Sequence, residues 1–463
     1  MEGLRRAAER AARTHAGSGA LVFGGGKGTH RNDQRLTGRG RLTMSGTLLI
    51  TTVSSLFLEF SVSIAGAKLR PFDGLVFAML LHLLFARGLS IRLPRGLLLC
   101  GLFFLVHAAS ALTLGPGNFL REAIQVCVVF VFGIYVYNMV DANLLRRGLP
   151  ILTAIILAVM AYNVLWHVTH GYITGWKRLD APKMAFLFST LLLTYYALKH
   201  RTEPGRGTLA ATMMLPLMLP ILLLSGERKA LLFLVICGLL YLVRAKPFIR
   251  PAGWLAIFGA LAIAMPLIPT LLAVPYVEQQ VESIFAPVSS AELRIYSPSE
   301  YFAKSLSNAQ RMFATNVGLE LFFQSPITGV GTNAYQEIVR VRFSYLPPVM
   351  VNSIHSEFLR VLVENGVVGL IAFCLPLLRA VFFIVIFKAP NTVSVRWEGC
   401  LLLVVGSLIL IAMESSGTKL LVPYMLVAIL PDLARRASLE PRRQFEPSFS
   451  ARMASRPSWQ GGT

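Results

Sequence analysis

Three short segments of this chain carry residue types that could act on an anionic substrate. The first is Ser225-Gly226-Glu227-Arg228-Lys229, a five-residue turn between two apolar runs. Charge at the lip of a membrane helix is costly and is often kept for function. The same turn could also be an ordinary snorkelling pair of Glu227 with Arg228 or Lys229. The second segment starts at Arg311. Leu319, Phe322 and Phe323 follow it at helical spacing, which predicts a short helix that Ser325-Pro326 ends. Gly329-Val330-Gly331 then turns the chain tightly, and Thr332 or Asn333 could cap a following helix. This pair of glycines lacks the strand and third glycine of a dinucleotide site, so it reads as a structural turn. The third segment is Asn352-Ser353-Ile354-His355-Ser356-Glu357-Phe358-Leu359-Arg360-Val361-Leu362. Asn352 or Ser353 could cap a helix there, with Glu357 in its first turns. His355 would fall in the first turn, where exposed N–H groups favour anions; capping or packing is its plainer use. Gly366 ends the segment and Gly369 opens the next apolar run.

The elements that must position these groups are helices in a bilayer. The chain has 463 residues, of which 55% are hydrophobic and 14% charged, and its mean hydropathy is +0.62. A soluble protein of this size carries roughly a quarter charged residues. Apolar runs near the ~20 residues that cross a hydrocarbon core recur along the sequence. They do not alternate as membrane strands would. The predicted spans are roughly 46–66, 72–87, 96–114, 119–139, 149–168, 184–199, 209–225, 229–243, 252–273, 366–388, 397–413 and 419–433. The expected architecture is an all-α polytopic membrane protein of about twelve transmembrane helices, with one large, partly helical periplasmic loop.

This divides the chain into five parts: a basic N-terminal tail at 1–43 without apolar periodicity, a first bundle at 44–274, the loop at 275–365, a second bundle at 366–433 and a tail at 434–463. Met44 stands directly before the first apolar run, so translation could begin at Met1 or at Met44.

The net charge of +21 suits the positive-inside rule better than nucleic acid, because it falls mostly in tails and short loops. Alternate turns hold Arg87, Arg92 and Arg95, then Arg146 and Arg147, then Lys199, Arg201 and Arg206, then Arg244, Lys246 and Arg250, then Lys388 and Arg396. This bias places both termini in the cytoplasm and the long loop outside. The outer turns keep some cations, among them Arg178, Lys183, Arg228 and Lys229. An anionic substrate is one reason for them to stay. Arg228, Arg311 and His355 then share the outer side of the membrane.

The five cysteines, Cys100, Cys127, Cys237, Cys374 and Cys400, lie in or at the ends of apolar runs without CxxC spacing, against a disulfide frame or zinc site. The predicted loop has no Asp, so no Asp-x-Asp metal site is expected there, and no cofactor is called for. Glu278, Glu282, Glu292, Glu300, Glu320 and Glu337 are scattered and read as solvated helix faces. Tyr296, Tyr301, Tyr335 and Tyr345 could stack sugars or pack against the membrane surface.

These segments resemble the O-antigen ligase and O-antigen polymerase superfamily. Arg228-Lys229-Ala230-Leu231-Leu232 is similar to that family's Arg-x3-Leu element. Arg311 to Gly331, with Pro326, resembles its arginine, aromatic helix and Pro-x-x-Gly-x-Gly. His355-Ser356, nine residues, then Gly366-Val367-Val368-Gly369 resembles its His-[Asn/Ser/Gln]-x9-Gly-x2-Gly pattern. The chain departs at Ala181-Pro182-Lys183, where the family often has Pro-Asn, and at Ser356, where Asn is commoner.

The resemblance implies a metal-independent glycosyltransferase of the bacterial inner membrane. It would move a glycan from undecaprenyl diphosphate to a hydroxyl acceptor such as lipid A core, on the periplasmic side. It implies Arg228 and Arg311 as a clamp on the leaving diphosphate, a task that suits a permanently charged fork. His355 would be the base or orienting group for the acceptor hydroxyl. Lys229, Arg178, Lys183 and Arg294 would be further substrate contacts. A polymerase of the same superfamily would differ only in its acceptor. A transporter or flippase of lipid-linked sugars is the rival from another class; such proteins tend to show repeated halves and broken mid-membrane helices, and no repeat is visible here.

Overall fold

A computed structural model describes residues 43–57, 62–64, 67–88, 90–170, 182–200, 206–225, 228–245, 300–346, 354–387, 397–413 and 418–445. The expected span 252–273, most of both tails, and Arg178, Glu227 and Arg294 lie outside the described residues.

The described helices are α1 (Met44–Ser55), α2 (Pro71–Arg87), α3 (Arg95–Ser110), α4 (Pro116–Met139), α5 (Ala142–His170), α6 (Pro182–His200), α7 (Arg206–Ser225), α8 (Arg228–Ala245), α9 (Glu300–Gln324), α10 (Ala334–Arg342), α11 (Glu357–Phe387), α12 (Trp397–Met413) and α13 (Thr418–Phe445). A 3-10 turn, Ala111–Leu114, links α3 to α4.

Local chemistry sets several of the ends. Pro71 stands at the first position of α2, and the Asp73 carboxylate accepts from the Arg70 N–H at 2.9 Å. Gly88 stops that helix at φ 57°. Pro116 opens α4 directly after Gly115 at φ 99°.

The first apolar run departs from expectation. Its helix stops at Ser55 instead of running to residue 66. Val62–Ile64 (β1) and Ala67–Leu69 (β2) then pair antiparallel, with Val62 opposite Leu69 and Ile64 opposite Ala67. Phe60-Ser61-Val62-Ser63-Ile64 alternates apolar and polar, which is a strand's period and no helix's. The chain is therefore helical apart from this hairpin among the described residues.

Three described helical stretches are long and apolar enough to cross a membrane: Arg95–Leu114, Pro116–Met139 and Glu357–Ile384. Arg147–Tyr162, Ala230–Tyr241 and Gly399–Ala412 are shorter apolar stretches. Leu98, Leu102 and Leu105 on α3, and Ile371, Leu375, Leu378 and Phe382 on α11, are exposed at helical spacing. Exposed apolar stripes of that kind belong to a membrane protein, whose outer face meets lipid.

Helices α2, α3, α4, α11 and α13 share the largest core. At its centre the Phe373 and Tyr424 rings stack 4.7 Å apart at 7°, with Phe103 edge-on at 5.0 Å from Phe373. Helices α5, α6, α8 and α12 bury a second core. Helices α9 and α10 bury a third one against the start of α11.

Polar groups collect at the two ends of the α3–α11–α13 packing. At one end the Arg379 guanidinium donates to Asp432 at 3.0 Å and to the Ala428 carbonyl at 3.1 Å. The Gly96 N–H also donates to Asp432, at 2.9 Å. Arg87 donates to the Asn138 carbonyl at 2.9 Å, and Arg436 to the Tyr137 carbonyl. The other end holds the site described below. From Gly96 to Ser110 the rise along α3 is ~21 Å. Truncating Asp432 to Ala leaves Arg379 without its carboxylate. Arg379 is partly exposed, so the expected loss is about 2 kcal/mol, short of a fully buried pair. Unfolding of the purified protein in detergent reads it; an unchanged midpoint would refute it.

Candidate functional site

The glycine segments interlock. Helix α9 ends at Gln324, and the Ser325 hydroxyl donates to the Gly329 carbonyl at 2.9 Å, closing a tight turn. From that turn the Val330 N–H donates to the Val363 carbonyl at 3.0 Å, and the Gly331 N–H to the Glu364 carbonyl at 2.9 Å. These are the last carbonyls of the first part of α11, which breaks at Gly366, φ 65° and ψ −168°. The turn thus caps that short helix, satisfying acceptors that its end leaves open. In return the Val367 N–H donates to the Pro326 carbonyl at 2.9 Å, and the Val368 N–H to the Ile327 carbonyl at 3.3 Å. A side chain could not fit: a Cβ at Gly329 would lie 2.4 Å from the Glu364 carbonyl carbon. Gly369 lies against Asn365 on the helix beyond the break.

The knot sits on the C-terminal end of α3 and the N-terminal end of α4 by buried and part-buried polar contacts. The Ser110 hydroxyl donates to the Glu364 carbonyl at 3.0 Å, and the Thr332 N–H to the Ser110 carbonyl at 3.3 Å. The Thr332 hydroxyl donates to the His107 carbonyl at 2.7 Å and accepts from Asn365 at 2.8 Å. Asn365 Oδ1 lies 3.2 Å from His107 Nδ1. His107 Nε2 faces Glu122 at 3.5 Å, and Glu122 accepts from the Asn333 amide at 2.8 Å. Asn118 donates to the Ala111 and Thr332 carbonyls, both at 3.1 Å.

Within the short helix, Arg360 donates to Glu364 at 2.8 Å and to Glu357 at 2.9 Å. Both carboxylates are almost wholly buried. A buried cation between two buried carboxylates stiffens the element in one arrangement. Removing it would strand both charges.

His355 lies two residues before this helix, not within its first turn as expected. Ser356 is the capping residue: its carbonyl accepts from the Arg360 N–H at 2.9 Å and its hydroxyl from the Leu359 N–H at 3.5 Å. Asn352 and Ser353 lie outside the described residues. Arg311 is on a helix of 25 residues, longer than the sequence predicts. Asn333 holds the position before α10 in the left-handed region, φ 66°. Its side chain serves Glu122 and Asn118 instead of capping.

The structure brings Arg311 and His355 onto packed elements. Arg311, Ala314 and Gly318 share one face of α9. Ala314 is buried in one apolar cluster with Ile354 and Val363, and Gly318 faces Val363, Ile354 and Leu359. His355 is the next residue after Ile354. Both His355 and Arg311 are half-buried, and Arg311 forms no ion pair with any described residue. Arg228 and Lys229 open α8, which packs with α6, α7 and α12; their side chains, and that of Lys183, lie outside the description. The helix start does put Arg228 at an N-terminal end, where anions are favoured.

Tyr335 is 1% exposed and so packs in the core, leaving no face for a sugar. Burial, with the Glu364 charge beside it, pushes its phenol pKa up. Tyr345 is 74% exposed and keeps both uses open. Glu320 pairs with Arg342 at 2.7 Å and Glu337 with Arg340 at 3.5 Å, on open helix faces.

Sequence reasoning misses His107, Asn118, Glu122, Thr332, Glu364 and Asn365. One signal was available. His107 and Glu122 are ionisable groups inside apolar runs, which such a position rarely tolerates without a partner.

No curated protein matches the chain. Residues 213–374 match a family model described as O-antigen ligase. Arg228, Arg311, His355 and the interlocked glycines all fall inside that stretch, and the match supports the likeness of this part of the chain to the O-antigen ligase superfamily.

Proposed function

We propose that this membrane protein transfers a glycan from undecaprenyl diphosphate to a hydroxyl acceptor, in the manner of an O-antigen ligase. The observation that carries the reading is the coincidence of the family match at 213–374 with Arg311 and His355 on packed elements. The reaction runs on the periplasmic face of the bacterial inner membrane. About twelve helices span the bilayer, both termini are cytoplasmic, and residues 275–365 form the outer loop.

The acceptor hydroxyl attacks the anomeric carbon, the bond to the lipid diphosphate breaks, and negative charge gathers on the leaving group. Arg228 and Arg311 hold those phosphate oxygens. A guanidinium keeps its charge at any working pH and offers a donor fork. An Arg311 without a carboxylate partner among the described residues suits such a task. His355 orients the acceptor hydroxyl and takes its proton. Lys229, Arg178, Lys183 and Arg294 add substrate contacts, and no metal is needed for this division of labour.

The test is the purified protein in nanodiscs with a lipid-linked glycan, offered lipid A core or a second lipid-linked unit. Transfer to lipid A core is the expected result. Joining of two lipid-linked units would make the chain a polymerase of the same superfamily. Movement of lipid-linked sugar across the bilayer, with no transfer to either acceptor, would overturn the proposal in favour of a transporter.

A further inference from the structure

We propose that His107 and Glu122, which lie outside the family match at 213–374, are positioning residues for the transfer reaction. They act through Asn365 and Asn333 on the short helix that leads from His355.

The path is continuous. Glu122 on α4 accepts from Asn333 at 2.8 Å, and Asn333 ends the turn whose Val330 and Gly331 amides cap the short helix. His107 on α3 faces Asn365, the last residue of that helix before the break at Gly366. The amide of Asn365 has a defined sense. The single Thr332 hydroxyl proton goes to the His107 carbonyl, so Thr332 accepts from Asn365 Nδ2. Asn365 Oδ1 is then left to accept from His107 Nδ1. At the far end Ser356 caps the same helix, and His355 is the preceding residue.

Register is the reason for a polar device. Apolar contact is non-directional, and the facing surfaces at Gly329 and Gly366 are backbone. Those backbone contacts join the turn to the break in α11, and toward the α3–α4 corner Gly331 meets only the small, exposed Thr113 side chain. Directional hydrogen bonds set the register there. The His107 and Glu122 side chains are 4% and 10% exposed, an expensive choice if burying surface were the only need.

The inference rests on the transferase reading, and the experiment separates the two. The full-length protein in nanodiscs is assayed for kcat and donor KM, with amide exchange at Val330 and Gly331 as a readout independent of activity. His107→Phe is expected to lower kcat about 30-fold, the scale of a sub-ångström to ångström misplacement of the reacting group. Donor KM should stay within about twofold, since no substrate contact is removed. Exchange at Val330 and Gly331 should quicken. His107→Asn, whose amide nitrogen overlays Nδ1, should restore kcat to within about threefold of wild type.

Asn333→Gly approaches from the loop side: it keeps the left-handed φ of 66° without strain, removes the bond to Glu122, and should repeat the kcat loss without substituting the membrane helices. It carries the test if His107→Phe fails to fold. A folded His107→Phe with wild-type kcat and exchange overturns the proposal. So does a His107→Asn as slow as His107→Phe, which would make ring bulk the cause. Wild-type protein with no transfer to any acceptor sinks the transferase reading; exchange unchanged in both His107→Phe and Asn333→Gly then sinks the positioning one as well.

Discussion

Replacing His355 by Ala is expected to lower glycan transfer by about 10²–10⁴-fold, the range of a lost general base, with the protein still inserted and folded. Arg311→Ala is expected to cost ~100-fold, or about 3 kcal/mol of transition-state stabilisation. The two losses differ in kind. On the proposed reading Arg311 meets charge that grows on the leaving diphosphate, so its removal should fall mainly on kcat. Arg311→Lys should recover only part, because an ammonium keeps the charge and loses the fork. On the same reading His355 acts on the acceptor, and its loss should be greatest for weakly acidic hydroxyls. Both variants are expected to fold. Each side chain is half-buried, while the cluster between them is made by Ala314, Ile354 and Val363. The readout is a surface-glycan ladder in a complemented strain, with the membrane level of the protein measured beside it. A full ladder from either variant would remove that residue from the site.

The helices are legible where local chemistry agrees with the period. Pro71 with Asp73, and Pro116 after Gly115, mark starts that hydrophobicity alone would blur. The Pro326, Gly329 and Gly331 spacing announces a tight turn for the same local reason. The first run misleads because its apolar content hides its period. Val62-Ser63-Ile64 alternates, and it pairs with Ala67–Leu69 as a hairpin. His355 sits one turn earlier than the sequence suggests, because Asn352 and Ser353 look like caps ahead of it, while Ser356 makes the cap.

What the sequence could not show is pairing at a distance. Asn333 reads as a helix cap by its type, yet it donates to Glu122, 211 positions away. Arg360 sits at i+3 from Glu357 and i−4 from Glu364. That spacing is the ordinary sign of an exposed pair. Burial, which turns it into a rigid cation between two enclosed carboxylates, comes only from packing.

The interlocked glycines yield the largest expected stability effect, and the clashes rank them. At Gly366 a Cβ would lie 2.1 Å from the Ile327 carbonyl oxygen and 2.7 Å from the Gly329 nitrogen. Its φ of 65° with ψ −168° is a conformation that only glycine adopts readily. Backbone on both sides of the contact cannot rotate away, so Gly366→Ala should cost about 4 kcal/mol or more. At Gly331 the nearest atom to an added Cβ, at 1.8 Å, is the Thr113 hydroxyl oxygen on an exposed turn. Rotation of that side chain moves the hydroxyl away but leaves the Thr113 Cβ at 2.8 Å, so a small adjustment of the exposed turn adds to the strain of φ 110°, itself about 1–3 kcal/mol. Thr113→Ala should therefore relieve part of the Gly331→Ala defect and none of the Gly366→Ala defect. Unfolding midpoints of the three single variants and the two doubles measure this. Equal damage from Gly331→Ala and Gly366→Ala, or relief of Gly366→Ala by Thr113→Ala, would show that the turn does not grip the break in α11 through its backbone.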